Sequence, residues 1–147
     1  MTNKTLLLKD FLPYRLSLLS NKISRTIADG YEERFSLTLP EWRVMAALGE
    51  EPNISANQVV EKTAMDKVAV SRAVKKLLED GRIERQFSQD DRRRSVLTLS
   101  ESGAAIYQDI IPIALTHEQR LLANFSDEEK AQFDALFDKL MQNQSAL

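Results

Sequence analysis

The sequence predicts a mainly α-helical chain with a small β-hairpin wing, an α+β winged helix-turn-helix set between outer helices. Three observations lead there. Apolar residues recur at helical spacing over most of the chain. Three short segments with helix start signals follow one another between residues 38 and 80. Directly after them the apolar period drops from about 3.6 residues to two, on either side of a charged loop.

Each element follows from its residues. Leu12, Leu16, Leu19, Ile23, Ile27 and Tyr31 stand three or four apart, which predicts one long helix over residues 11–35 with Pro13 in its first turn. Thr38 and Glu41 form a capping-box pattern ahead of Trp42, Met45 and Leu48, in a helix ending near Gly49. Ser55 and Gln58 repeat the pattern for a short helix to about Thr63. Asp66 caps a third, which stops at Asp80-Gly81. Ile83, Arg85 and Phe87 then alternate with polar residues; a loop over 88–94 and a second apolar strand over 96–99 complete a hairpin. Ser100 caps the next helix, whose stripe is Ala104, Tyr107, Ile110, Ile111, Ala114 and Leu115. Pro112 predicts a kink there, with the helix running on to about Asn124. Ser126 and Glu129 make a third capping box, and the last helix is expected to bury Phe133, Leu136, Phe137, Leu140 and Met141. The division that results is 36–100 as a winged helix-turn-helix, with 1–35 and 101–147 as a helical assembly region.

Composition removes several functions. At 147 residues the chain has the length of one domain. It has no cysteine and one histidine, His117, which leaves no thiol chemistry and no His-based metal cluster within one chain. No nucleophile–base pair and no glycine-rich phosphate loop stand out, so the expectation is a non-enzyme without cofactor or metal. Leu6 to Leu8 is cut off by Lys9 and Asp10, and no apolar run nears the ~18–20 residues that span a bilayer. The expected location is cytoplasmic, with no membrane partner.

The net charge of −2 conceals a local excess of the opposite sign. Residues 65–95 hold nine basic and six acidic side chains, +3; the remainder holds eleven basic and sixteen acidic, −5. Within the 66–80 helix, Val70, Ala73, Val74 and Leu77 share a core face. The other side carries Lys67, Val68, Ala69, Ser71, Arg72, Lys75 and Lys76. A cationic face with small residues suits a helix lying in the major groove of double-stranded DNA, with Lys and Arg reaching phosphates. The hairpin tip adds Arg92, Arg93 and Arg94, which can enter a neighbouring minor groove, with Asp91 holding an arginine in place. The competing reading of that tip is a solvated turn with local ion pairs.

The stretch MDKVAVSRAVKKLLEDGRIERQFSQDDRRRSVLTLSESG resembles the multiple-antibiotic-resistance regulator (MarR) family of winged-helix repressors. The pieces that carry the likeness are VSR in the basic helix, LLEDGRIER entering the wing, DDRRRSVLTLS in it and SESG after it. The resemblance implies a homodimer built from the first and last two helices and a pseudo-palindromic operator. It also implies that Asp91 and Arg93 match the wing's Asp-x-Arg element, with Arg92 or Arg93 at the tip contact. Family members commonly release DNA on binding a small molecule; this chain lacks the cysteine and histidines of the redox and metal sensors, which leaves an organic ligand or none. FLPYRLSLLSN and LTLPEWRVMA further resemble a branch tied to aromatic-acid catabolism, whose effector is an aromatic acid or its coenzyme A thioester. On that reading Arg15, Trp42, Arg43 and Tyr107 line the ligand site. The plainer reading makes Arg15 a surface residue on a dimer interface and Trp42 and Tyr107 ordinary core aromatics. A second functional reading is a winged-helix protein-interaction module that does not read DNA.

Overall fold

The computed structural model describes residues 3–87 and 95–147. A 3₁₀ turn at Leu8–Asp10 leads into α1 (Leu12–Ala28) and α2 (Glu32–Phe35). Then come α3 (Leu39–Glu50), α4 (Ala56–Thr63), α5 (Lys67–Glu79), β1 (Ile83–Phe87), β2 (Ser95–Leu99), α6 (Glu101–Leu121) and α7 (Asp127–Ser145). This is the predicted mainly helical winged architecture. The chain forms two compact units, residues 1–113 and 114–147. α6 continues through Pro112 without ending, and the boundary between the units falls one residue further on.

Local signals start the helices as expected. Ser55 and Gln58 close a reciprocal capping box at α4, with N···O distances of 2.8 and 3.1 Å, and Ser126 and Glu129 do the same at α7 at 2.9 and 3.1 Å. At α3 the box is only half made. Thr38 Oγ1 accepts the Glu41 N–H at 3.4 Å, but the Glu41 carboxylate takes the Thr38 hydroxyl rather than the backbone N–H.

The core sits between α3, α4, α5 and the hairpin. Val44, Met45, Leu48, Val59, Val70, Val74, Leu77, Ile83 and Leu97 are all buried there. Fully burying such a side chain contributes about 1.5–3 kcal/mol before the loss of chain entropy, so this cluster holds the wing to the helices. β1 and β2 pair antiparallel, with Ile83 opposite Leu99 and Arg85 opposite Leu97. The link between α3 and α4 joins the sheet as well: Leu97 N–H donates to the Ile54 carbonyl at 2.7 Å, and Asn53 N–H to the Leu97 carbonyl at 3.0 Å.

Two expectations are corrected. The helix predicted over 11–35 breaks after Ala28, and a separate turn of helix follows Tyr31. Tyr31 is wholly buried, its ring 5.9 Å from that of Trp42; seating it in the core diverts the chain from the stripe's straight course. The apolar stripes of the outer helices are not buried within one chain. Leu12, Leu16 and Leu19 on α1, and Phe133, Leu136, Phe137 and Met141 on α7, face solvent, and Leu140 is half-buried. In residues 114–147, α7 and the end of α6 are the only helices, and an apolar stripe needs a further layer to close over it.

The wing is fastened to the helices at a corner. Gly81 takes a left-handed conformation (φ 70°), which any Cβ would strain, and Arg82 N–H then donates to the Leu77 carbonyl at 2.9 Å. The Arg82 carbonyl accepts Ser100 N–H at 3.0 Å, while Ser100 Oγ donates to the Gly81 carbonyl at 2.7 Å and accepts Gly103 N–H at 3.1 Å. Gly103 lies so close to the Arg82 carbonyl oxygen that an added Cβ would overlap it. Gly103→Ala therefore should lower stability by about 1–3 kcal/mol, despite alanine's better helix propensity, as read by urea denaturation.

Candidate nucleic-acid interface

α5 owes its start to Asp66, whose Oδ2 accepts the Ala69 N–H at 3.3 Å. Its thirteen residues present two unlike faces. Val70, Ala73, Val74 and Leu77 are buried, while Lys67, Val68, Ser71, Arg72, Lys75 and Lys76 are exposed and Ala69 is half-buried. The seven residues predicted for this helix thus stand together on the side away from the core. Val68, in the first turn of this basic helix, is 54% exposed.

The basic surface differs in three places from the sequence reading. Lys76 Nζ is 3.0 Å from Asp80 Oδ1 in an i,i+4 pair, and that hydrogen bond raises its pKa, so its charge is engaged at the helix end. Arg82, counted with the positive set, turns inward and donates from Nη2 to the Phe35 carbonyl oxygen. Arg85 is a residue that the sequence reading left out of the contact set. It is exposed on β1 and borders, with Ser71, Lys75 and Glu79, a depression of about 290 Å³ floored by Ala56, Val74 and Leu78. The alternation carried the signal: Arg85 lies two residues after buried Ile83 and so shares its face of the strand, toward α5. The wing-tip residues Asp91, Arg92, Arg93 and Arg94 lie outside the described residues.

The four residues assigned to a ligand do not form one site. Trp42 lies between Tyr31 and Tyr107, each ring centroid 5.9 Å away and tilted to it, and Arg43 Nη2 donates to Ser24 Oγ at 3.2 Å beside them. Arg15 instead borders an open groove of about 700 Å³ along α1, with Leu8, Leu12, Leu16 and Leu19. Nine positions along α1 separate Arg15 from Ser24, about 13.5 Å along a helix axis. Burial pushes the Tyr31 phenol up to about 12, with Glu32 adding to the shift and Arg43 opposing it. Among the described residues no group of histidine and carboxylates could hold a metal ion, and no helix is long and apolar enough to cross a membrane.

A helix with a buried apolar face and an exposed basic one, followed by a two-stranded wing, now has a counterpart among known proteins. Residues 35–94 match the model of the MarR family. Over that stretch the chain is similar to winged-helix transcriptional regulators of MarR type. A solved MarR/EmrR family transcriptional regulator from Acinetobacter sp. ADP1 is 28% identical with a TM-score of 0.87, over 97% of this chain and 100% of that one. The HTH-type transcriptional regulator BilQ of Clostridium symbiosum is 29% identical over 99 residues, 67% of this chain and 69% of BilQ. Bordetella bronchiseptica BpsR, whose DNA binding is regulated by 6-hydroxynicotinic acid, shares the fold: TM-score 0.79 at 20% identity, over 94% of this chain and 98% of BpsR. The MarR-type match includes α3, α4, α5 and β1, the elements that present the basic face.

The Tyr31 hydroxyl is buried without a hydrogen-bond partner among the described residues. A buried hydroxyl that gains nothing in the folded state only adds its desolvation cost. Tyr31→Phe is therefore expected to leave stability unchanged or raise it by about 1–2 kcal/mol, measured by thermal or urea unfolding, with the fold intact.

Proposed function

We propose that this chain is a MarR-type transcriptional regulator, a homodimeric repressor. It places α5 in the major groove of a pseudo-palindromic operator and the 88–94 wing in the adjacent minor groove. One observation carries the reading: Lys67, Val68, Ser71, Arg72 and Lys75 are exposed on one helix whose opposite face is locked into the core. Groove entry requires that arrangement, with cations for phosphates and small or apolar side chains for close approach. Residues 36–100 are then the DNA-binding domain.

Residues 1–35 and 101–147 form the dimerisation region on this reading. The exposed stripes of α1 and α7 support it, because contiguous apolar surface of that kind is what a permanent partner covers. A two-fold dimer presents its α5 helices to half-sites about 34 Å apart, one turn of the duplex. The effector is a small aromatic acid or its coenzyme A thioester. The half-buried Trp42 and Tyr107 rings beside Arg43, and the cationic groove at Arg15, are two places that suit such a ligand, and BpsR supplies a precedent within the fold. The alternative of a protein-interaction module without DNA reading is disfavoured by the uncovered cations of α5. The protein acts where the DNA is, in the cytoplasm, and performs no catalysis.

Footprinting on DNA upstream of the protein's own gene, with and without a panel of aromatic acids and thioesters, tests the reading. Protection of no sequence at any salt concentration would refute it. Arg72→Ala is expected to weaken binding to every duplex by roughly 10–100-fold and to reduce the salt dependence by about one phosphate's worth. Arg93→Ala should instead weaken sites with A·T-rich flanks most. Removing residues 126–147 should convert the dimer into monomers or aggregates, as seen by light scattering; a soluble dimer after that truncation would remove the assembly role from α7.

A further inference from the structure

The inward turn of Arg82 is unexpected in a residue that sits between the basic helix and the wing. Its backbone belongs to the corner described above, tied to the last turn of α5 and to the start of α6, with β1 beginning at the next residue. Its side chain reaches an element 47 positions earlier. Nη2 donates to the carbonyl oxygen of Phe35, the last residue of α2. Ser36 beyond it is left-handed (φ 50°), so the chain turns away and no following helical N–H takes up that carbonyl. The end of α2 is held in turn: the Arg34 guanidinium lies 4.8 Å from the centre of the Phe35 ring and 3.7 Å from Asp109 of α6.

Stability alone does not account for this arrangement. Arg82 Nη1 is buried and has no hydrogen-bond partner among the described residues. A half-buried guanidinium with one nitrogen shielded from water and unpaired costs free energy, and an apolar side chain of similar length would fill the same space without that cost. What the arginine supplies is direction. It joins the segment that follows α1 to the point from which the recognition helix ends and the wing begins.

We infer that Arg82 is a positioning residue for operator reading, whose hydrogen bond to the end of α2 sets the angle between α5 and the wing. The inference rests on the DNA-binding reading above. Movement of α1 and α2 is thereby felt at the DNA-facing elements, through one donor and one carbonyl.

The test uses the full-length protein and a duplex selected by the wild type from a random pool. Affinity for that duplex and for random duplex of equal length is measured for wild type, Arg82→Met and Arg82→Lys. Arg82→Met keeps the apolar stem and removes the donors. It should lower the selected-to-random ratio at least tenfold, with random-duplex affinity within twofold of wild type and cooperative unfolding retained. Arg82→Lys, which keeps a charged donor, should restore at least a third of the ratio. An unchanged ratio in Arg82→Met overturns the inference, as does an equal loss on both duplexes or a lysine variant no better than methionine. Should Arg82→Met not fold, Arg82→Gln decides on the same ratio. A wild type that does not discriminate sinks the operator reading and this inference with it; discrimination shared equally by wild type and Arg82→Met sinks the inference alone.

Discussion

Burial of Val70, Ala73, Val74 and Leu77 against α3, α4 and the hairpin is the constraint on which the rest depends. An α-helix cannot turn one face inward without fixing what the other presents. Once those four side chains are seated, Lys67, Ser71, Arg72 and Lys75 have only solvent to face, and their charges collect on one strip. The chain's overall acidity is irrelevant at that distance, because screening limits each charge to roughly 8–10 Å around it. The same packing seats Leu97 of the wing, so helix and hairpin are registered on one core rather than hung from a linker.

Precision of that registration comes from backbone contacts, not from apolar burial. Apolar packing tolerates small slides; hydrogen bonds at the Gly81–Arg82 corner and the close approach of Gly103 do not. Three elements meet within a few residues there, so the wing leaves α5 across a short, hydrogen-bonded span. Local unfolding of this corner would release helix and wing together.

The fold was legible where its cause is local. Capping residues at Ser55, Asp66 and Ser126 and the change of period after Gly81 placed the starts of three helices and the two strands to within a residue or two, since cap chemistry acts over three or four positions. The basic face of α5 was legible for the same reason, as a periodicity within one helix. What escaped was non-local. Tyr31 continues the α1 stripe by spacing, and only its burial beside Trp42, in the next long helix, explains the break. Arg82 reads as one more surface cation, and its partner carbonyl cannot be inferred from residue type. The four ligand candidates were grouped by chemistry, whereas α1 separates Arg15 from Arg43 along its length. The α7 stripe was read correctly as apolar, but periodicity does not say whether its cover comes from the same chain.

The contact of residues 53 and 54 with Leu97 has a consequence for self-association. A two-stranded hairpin ordinarily offers two rows of unpaired peptide groups to any extended chain that passes. Here the outer row of β2 is taken at Leu97 by the α3–α4 connection, which acts as a short third strand. The remaining row belongs to β1, where Glu84, Arg85 and Gln86 stand in sequence with their side chains in water. Charged residues on a short border strand discourage sheet extension. The wing is thus protected against edge-to-edge polymerisation by the connection on one flank and by its charges on the other.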